Sequence, residues 1–479
     1  MTCRFPRTAA GPIDRRGFLT RVAQAGMATG VAWGTAPTSR ASQQRPGLMA
    51  GEGVVDTTPP MGIELAGFHR PPGQERRIEG IRQPTAVRAI VLRYGATKVA
   101  LVSLDILGVD SAMVQRVQRR VAKRIGVPAT NVRLCATHTH SMPAFLFLRQ
   151  WGAIPKAYMA AVETKAVDAA AMAHADLAPA SLFVGKARVD HGNSNRTVQV
   201  AKTDAQFTEA STDQERWLDT LLHVLHFERT GGKHNLLWYH FSAHPVCFAD
   251  AMAGPDWPGL VGQRVRESLR VTPSFLQGHA GDVNAGSDPN KPVWRGDAEF
   301  TANAVHTAIE QAVNRAARVS VDTLRSQTGP CGMPLDVERF RGWLAAYRQD
   351  ASKCNRGTWV DARFAKAWFA ANANRAAART ELPVPVTAMR IGSVGLVFHP
   401  GELFSYYGLA MRHRSPLPNT LVVGYADGLI GYLPDPHSYE AKEYAAIVVP
   451  KILDLPPFRP TAARVLTAEV ERRLNQLAR

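Results

Sequence analysis

The chain has 479 residues, of which 45% are hydrophobic and 20% charged, and its formal net charge at pH 7 is +17. The positive charges are scattered, and no polybasic run or basic groove with interleaved aromatic residues is visible. This pattern argues against a nucleic-acid partner, while attraction to an anionic substrate or to an anionic envelope surface stays open.

Residues 1–41 predict a twin-arginine signal peptide, with a disordered tail as the alternative. Arg15 and Arg16 precede a mildly apolar segment, and Ser39-Arg40-Ala41 is a small-residue cleavage site. The apolar segment is too short and too rich in glycine to span a membrane. Cleavage would remove six arginines and one aspartate, which lowers the formal charge from +17 to +12. We therefore expect residues 42–479 to be the mature protein, in the periplasm or outside the cell.

The rest of the chain alternates between strand patterns and helix patterns. Residues 86–105 predict two strands joined by a Gly-Ala turn, and residues 111–125 carry apolar side chains at helical spacing. Farther along we expect a helix at 158–176, paired strands at 221–227 and 235–241, and helices at 297–318 and 463–477. This alternation predicts an α/β fold of mixed β-sheets flanked by helices. Because the chemically informative motifs extend from 138 to 444, we expect 42–479 to be one large catalytic domain.

One segment departs from this rhythm. Residues 337–380 place several aromatic side chains in helical patterns among Arg, Lys and Ala. We predict a helical insertion that caps the site as a lid, with packing into the core as the alternative. Cys331 and Cys354 flank or occupy this segment, and they could form a disulfide in an oxidising compartment or stay as free thiols.

Histidines and carboxylates follow several apolar runs. His138 and His140 come at the end of a β-rich run, and side chains at positions i and i+2 of a strand share a face. Imidazole is a common zinc ligand, so this pair predicts the beginning of a metal site, with two hydrogen-bonded histidines as the alternative. Three later clusters have similar positions, and they contain His244, His399 with Glu402, and Asp427 with Tyr432.

Taken in order, these motifs resemble the neutral, non-lysosomal ceramidase family, specifically its zinc-hydrolase domain. The resemblance rests on Thr-His-Thr-His-Ser at 137–141, His-Pro at 244–245, Gly-Asp-Val at 281–283, Pro-Gly-Glu at 400–402 and a late tyrosine pair, and it extends from about 62 to 450. It implies a Zn²⁺ hydrolase of sphingolipid metabolism that acts on C–N amide bonds. The sequence departs from ceramide-cleaving members in two respects: we expect no C-terminal β-sandwich domain, and Asn284 stands where those members have serine.

The resemblance also implies a set of metal ligands. His138, His244 and Glu402 would bind the zinc ion, with the phenol oxygen of Tyr432 as the fourth ligand or, alternatively, as a hydrogen-bonding group. His399 is a weaker candidate than Glu402. Two neutral imidazoles and one carboxylate leave a zinc site with net positive charge, which lowers the pKa of bound water towards 7.

Four further residues are candidate catalytic groups. By resemblance, His140 would lie beside the metal and contact substrate or water, and Arg196 would stabilise a developing oxyanion. Tyr444 follows Tyr432 by twelve residues, which is also the family's separation between its two tyrosines. Asp282 would position a neighbouring histidine or water, with turn formation as the alternative.

These observations predict an exported zinc-dependent amidohydrolase that cleaves an N-acyl amide, ceramide-like or other, with metal-activated water. The alternatives are a zinc-dependent esterase or lactonase, a hydrolase of an extracellular glycan linkage, and a metal-containing binding protein without turnover. The expected partners are a small-molecule or lipid substrate and, peripherally, an anionic envelope surface, but no nucleic acid. Asn284 cannot act as a hydroxyl nucleophile, so we expect it to shift substrate recognition.

Overall fold

The computed structural model describes residues 47–479 except 356 and 376–378, so the predicted signal peptide lies outside the described residues. The strands are β1 (Met49–Asp56), β2 (Gly80–Ile81), β3 (Ala86–Tyr94), β4 (Thr97–Leu104), β5 (Val132–Ala136), β6 (Ala178–Arg188), β7 (Asn193–Asn195), β8 (Lys202–Thr203), β9 (Trp217–Leu218), β10 (Leu221–Arg229), β11 (Leu236–Phe241), β12 (Met252–Ala253), β13 (Pro273–Gln277), β14 (Val283–Ala285), β15 (Ala317–Val319), β16 (Leu324–Pro334), β17 (Glu381–Ile391), β18 (Val394–Phe398), β19 (Glu402–Leu403), β20 (Asn419–Val423) and β21 (Tyr432–Leu433). The α-helices are α1 (Ser111–Ile125), α2 (Lys156–Ala175), α3 (Trp257–Leu269), α4 (Ala298–Asn314), α5 (Val337–Gln349), α6 (Ala362–Asn372), α7 (Ser405–His413), α8 (Pro436–Glu440), α9 (Tyr444–Ile447), α10 (Val449–Ile452) and α11 (Ala462–Ala478).

Two mixed sheets form the centre of the described chain. The larger sheet has the strand order β13-β11-β10-β6-β1-β3-β4-β5, with β15 also paired to β6, and the smaller has the order β16-β17-β18-β20. Most neighbours are antiparallel, but the pairs β4–β5, β11–β13 and β18–β20 are parallel. Parallel neighbours end at the same edge of a sheet, so the segments that follow these strands are brought together.

The two sheets pack face to face around a buried apolar layer. Leu101, Trp238 and Leu276 of the larger sheet belong to the same cluster as Met389 and Leu396 of the smaller one. A buried ion pair also crosses this interface, because Arg133 of β5 contacts Asp427 and donates to Thr387 Oγ1 of β17 at 2.6 Å.

Helices cover the outer faces of both sheets. Helices α1 and α2 pack on one half of the larger sheet, α3 and α4 on the other half, and α11 packs on β16 and β17. Helix α1 begins where Asp110 accepts a hydrogen bond from Met113 N and ends at Gly126, which has φ 63°. This arrangement confirms the predicted α/β fold of mixed sheets flanked by helices.

Most predicted elements are present with small shifts at their ends. The hairpin predicted at 86–105 is β3 and β4, paired through Tyr94 and Thr97, and the strands predicted at 221–227 and 235–241 are the antiparallel pair β10 and β11. No helix of the described residues is long and apolar enough to cross a bilayer.

The helical insertion packs into the core, which is the alternative that the sequence left open. It forms α5 and α6, and Phe340, Phe364 and Trp368 are all completely buried. These side chains join the cluster that also contains β17 and α11 residues. Cys331 and Cys354 are both buried free thiols, so the structure contains no disulfide between them.

Candidate metal centre and substrate cavity

Candidate site residues follow the carboxyl ends of strands from both sheets. His138 and His140 follow β5, and His244 follows β11. From the smaller sheet, Glu402 follows β18. The fold therefore brings together side chains that are separated by more than 250 residues in the sequence.

Three imidazoles are held in the same way. The Nδ1 atoms of His138, His244 and His140 lie 2.8, 2.8 and 2.9 Å from the backbone carbonyl oxygens of Leu107, Val283 and Gly67. Each Nδ1–H can donate to its carbonyl, which fixes the tautomer with a lone pair on Nε2. His138, His140 and His244 form a group whose possible ligand atoms all lie within 4.8 Å of one another.

The conformation of His138 differs from the sequence-based expectation. The prediction placed both histidines on one face of an extended strand, but β5 ends at Ala136 and His138 has φ 64°. The turn at this left-handed residue, and not strand alternation, brings the two Nε2 atoms to 3.3 Å. Gly67 must also be glycine, because a Cβ there would lie 2.5 Å from His140 Nδ1.

Glu402 supplies a carboxylate to this group. Its Oε2 atom lies 3.4 Å from His138 Nε2 and 3.3 Å from His244 Nε2. Burial alone would raise the pKa of Glu402, but the imidazoles of His138 and His244 lower it below its ordinary value. The carboxylate is therefore ionised at neutral pH.

The atoms that face one another fit a metal ion. His244 Nε2 and Glu402 Oε2 are buried and make no hydrogen bond, and orphaned buried polar atoms are rare unless something binds them. Burial lowers the pKa of His244 to about 4 and also lowers that of His140, so both rings are neutral and can act as ligands. Imidazole nitrogens with a carboxylate are the donor set of catalytic zinc sites.

His140 is therefore a third candidate imidazole ligand. Its Nδ1 atom contacts a backbone carbonyl oxygen, as in the two predicted ligands, whereas the resemblance places His140 beside the metal. Tyr432 lies next to Glu402 because β19 and β21 pair Glu402 with Tyr432. The Tyr432 ring stacks on His244 at 6.5 Å between centroids.

Arg196 lies over the ring of Tyr432, with 4.9 Å between its Cζ and the ring centroid. Burial opposes its charge, but Tyr432 and Glu402 raise its pKa above the ordinary value. Its guanidinium donates to Gly281 O, and its backbone N–H donates to Asp282 O at 2.8 Å. Arg196 is thus a permanent cation fixed next to the candidate metal centre.

Asp282 joins segments of the site and does not face the imidazole group. One carboxylate oxygen accepts hydrogen bonds from the backbone N–H and hydroxyl of Ser405, both at 2.8 Å, and the other accepts from Asn195 Nδ2 at 2.9 Å. These bonds connect the segment of Arg196 to the segment of Glu402. The structure therefore supports a positioning role for Asp282.

A cavity of about 480 Å³ opens beside the imidazole group. His140, Arg196, Tyr432 and Tyr444 line it, together with aromatic side chains from several loops: Phe68, Trp151, Trp294 and Phe404. Asn284 also lines it and donates from Nδ2 to Trp294 O at 2.6 Å. The cavity thus combines an apolar aromatic wall with polar groups at one end, as ligand sites commonly do.

Two residues of the site escaped the sequence analysis. Arg76 donates to the carbonyl oxygens of Ala66 and His140 and so fixes the loop that carries Gly67. Tyr425 is completely buried, and its ring lies 4.3 Å from that of His138. Tyr425 could have been predicted from the sequence, because it follows an apolar strand pattern as His138 does. Arg76 belongs to no motif that would have marked it.

The weaker candidates lie apart from the metal group. His399 Nδ1 accepts a hydrogen bond from Gly401 N at 3.3 Å, and His279, which the sequence places next to the Gly-Asp-Val motif as a further weak candidate, contacts Asp219 through Nε2 at 3.1 Å. Asp427 forms the ion pair with Arg133. Neither histidine belongs to the group of possible ligands in the described residues.

Comparison with known proteins agrees with this architecture. Residues 48–253 match the family described as neutral/alkaline non-lysosomal ceramidase, N-terminal. Over these residues the chain is similar to that ceramidase family. A neutral ceramidase of Mycobacterium tuberculosis is 23% identical in an alignment that covers 83% of this chain and 73% of that protein. The predicted resemblance to ceramidases is therefore confirmed.

Solved ceramidase structures share the fold. The neutral ceramidase from Pseudomonas aeruginosa has a TM-score of 0.68 at 17% identity, over 91% of this chain and 75% of that chain. A second structure, described as ceramidase complexed with C2, has a TM-score of 0.67 at 18% identity, over 90% of this chain and 75% of that chain. At these identities the two structures show a shared fold, and with the match over residues 48–253 they indicate a ceramidase-like hydrolase.

Proposed function

We propose that the chain is an exported, zinc-dependent amidohydrolase that cleaves the N-acyl amide bond of a ceramide-like lipid. One observation carries the proposal. The unpartnered donor atoms of His244 and Glu402 meet those of His138 and His140 at the polar end of an aromatic-lined cavity.

His138, His244 and Glu402 would hold the zinc ion, with His140 or Tyr432 as a further ligand. A zinc ion at this place supplies a Lewis acid and lowers the pKa of a bound water. The hydrogen bonds from Nδ1 to backbone carbonyls orient the three imidazoles with Nε2 towards the group, and Glu402 Oε2 already lies 3.4 and 3.3 Å from the Nε2 atoms of His138 and His244.

The chain's own residues would then carry the remaining steps. Arg196 can donate hydrogen bonds to the carbonyl oxygen of the scissile amide as negative charge develops there. Where Tyr432 is the further ligand, His140 Nε2 can accept a proton from the attacking water and return it to the departing amine nitrogen. Tyr444 lines the same cavity and can hydrogen-bond a polar group of the substrate.

Two further features support the substrate class and the location. The aromatic wall of the cavity suits an apolar acyl chain, and the relatives named above are ceramidases. For export, the support is the Arg15-Arg16 pair with the apolar segment and small-residue site that follow it.

The test is product formation by the purified chain on ceramides, shorter N-acyl amides and matched esters, with and without a chelator. We expect chelator-sensitive release of amine and fatty acid, restored by added zinc. Glu402→Gln should abolish it, whereas Glu228→Gln, at an exposed position of β10, should not. Chelator-insensitive amide cleavage, or cleavage of esters alone, would refute the proposal.

A further inference from the structure

Exposed apolar side chains are concentrated at the mouth of the cavity. Within the described residues, nine large apolar side chains are exposed, and two of these, Trp294 and Tyr444, line the cavity with 71% and 47% exposure. Val293, which is 49% exposed, precedes Trp294, and Val200, which is 90% exposed, follows the cavity residue Thr197 by three positions. Isolated exposed apolar residues are normal, but a group around a cavity indicates an interaction site.

The loop that presents Val293 and Trp294 is tied to the site. We call residues 288–294 the mouth loop. Asn284 donates to Trp294 O, Val293 N donates to Ser287 Oγ at 3.1 Å, and Lys291 N donates to Asp288 O at 2.8 Å. The backbone of Asn284 forms an isolated parallel β-bridge with that of His244. The apolar tip is therefore held in place, which reduces the entropy lost when it binds a surface.

Three basic residues belong to the mouth loop or to segments next to cavity residues, and Asp288 is the one carboxylate of the mouth loop. Lys291 belongs to the mouth loop, Arg295 follows it with its guanidinium 5.5 Å from the ring of Phe68, and Lys442 precedes Tyr444 by two residues. No carboxylate within the described residues forms a salt bridge with any of the three. The nearby Glu443 is bound to Arg216 at 2.8 Å, so its charge is neutralised.

We infer that the mouth loop and Tyr444 form a docking surface for an anionic lipid bilayer. Trp and Tyr favour the boundary between headgroups and acyl chains, and Lys and Arg bind anionic headgroups. The formal net charge, which is +17 for the full chain and +12 after the predicted cleavage, adds long-range attraction. The inference rests on the proposed function, because docking here would let an acyl chain pass from the bilayer into the cavity without crossing water.

The test compares two double variants of the full chain. Lys291→Glu with Val293→Ser changes the mouth loop, at positions that do not line the cavity. The matched control, Lys123→Glu with Met172→Ser, makes the same charge change and also replaces an apolar side chain by serine, on helices α1 and α2, and Met172 has a similar exposure of 50%. All four positions are exposed, and thermal unfolding of each variant checks that the fold is retained.

The readouts are co-sedimentation with phosphatidylcholine vesicles, with and without phosphatidylglycerol, and turnover of a water-soluble N-acyl amide. We expect wild type and control to bind the phosphatidylglycerol vesicles, and the mouth-loop variant to bind at least about tenfold more weakly. All three should turn over the soluble amide equally.

Several outcomes would overturn the inference. They are no binding of the wild-type chain to phosphatidylglycerol vesicles, equal binding with and without that lipid, or equal loss in both double variants. Failure of the proposed function would look different, since the wild-type chain would then bind vesicles but release no fatty acid from any amide.

Discussion

At the scale of single residues, the candidate site depends on atoms that are unsatisfied without a bound ion. His138, His244 and Glu402 were predicted from motif order, and the structure brings their side chains together. The sequence could not give the left-handed turn at His138 or the orientation of His140, because both depend on backbone carbonyls delivered by distant segments. Asp282 was predicted to position a neighbouring histidine or water, and in the structure its carboxylate accepts hydrogen bonds from Ser405 and Asn195.

Glu402→Gln should remove zinc binding and amide hydrolysis together. The amide of Gln is neutral, so the site loses the one negative charge that offsets a divalent cation. We expect the zinc content, measured by mass spectrometry of the dialysed protein, to fall to background and turnover to fall at least about a hundredfold. Full zinc content in this variant would contradict the assigned ligand.

Asp219→Asn should reduce stability in a pH-dependent manner. Asp219 is completely buried and accepts hydrogen bonds from Arg412 at 2.6 and 2.8 Å. Burial alone would raise the pKa of this carboxyl, but Arg412 and His279 hold it well below 3.8. The stabilisation is therefore present above about pH 4 and is lost as the pH falls below that value.

We expect the variant to be about 3–5 kcal/mol less stable than wild type at pH 7, since it leaves a buried guanidinium without its carboxylate. The difference should shrink as the pH falls below about 4 in urea unfolding experiments. Asp190→Asn serves as the control, because the Asp190 side chain is 95% exposed. A difference that does not depend on pH would contradict this assignment.

At the scale of elements, the periodicity of apolar residues predicted the helices and long strands, which local interactions largely determine. Helix α1 was predicted with its observed bounds from the helical spacing of its apolar residues, and in the structure Asp110 and Gly126 cap its two ends. The short strands β7, β14, β19 and β21 were not predicted, since strands of two or three residues have no periodic pattern. These are the elements that place Arg196, Asn284, Glu402 and Tyr432 in the site. The fold of the site thus depends on pairings between distant segments that a single sequence does not specify.

The helical insertion should behave as core and not as a detachable lid. Trp368 of α6 is completely buried, 5.5 Å from Phe340 and 5.2 Å from Trp359 between ring centroids. Trp368→Ala should therefore destabilise the protein by about 3–5 kcal/mol, as measured by urea unfolding. Trp294→Ala, at a side chain that is 71% exposed, should change stability by less than about 0.5 kcal/mol. Unchanged stability of Trp368→Ala with altered turnover would favour the lid.

At the scale of the whole molecule, the metal group draws on both sheets, so binding there should stabilise the fold as a unit. A ligand that binds only the folded state adds stability in proportion to the logarithm of its concentration relative to its Kd. The sequence indicated that distant segments contribute to one site, because its motifs extend from 138 to 444. It did not indicate that the sheets would face each other, because burial on both faces gives strands such as β5 and β11 no alternating pattern.

Chelation should accordingly lower the midpoint of thermal unfolding, and added zinc should restore it. At a free zinc concentration of about 100 times Kd, the gain is about 2.7 kcal/mol. Differential scanning calorimetry of wild type and Glu402→Gln, each with chelator and with zinc, gives the comparison. The variant should respond to neither addition, and an equal response in both proteins would place the zinc elsewhere.

The three imidazoles are oriented by main-chain oxygens, and this has a consequence for divergence within the fold. A carbonyl oxygen persists whatever side chain its residue bears, so positions 107 and 283 can vary without loss of the bonds that align His138 and His244. Only Gly67 lacks this freedom, because any Cβ there meets His140. Sequences can therefore drift to 17% identity while the hydrogen bonds that aim two of the three rings are kept, because those bonds do not depend on side-chain type.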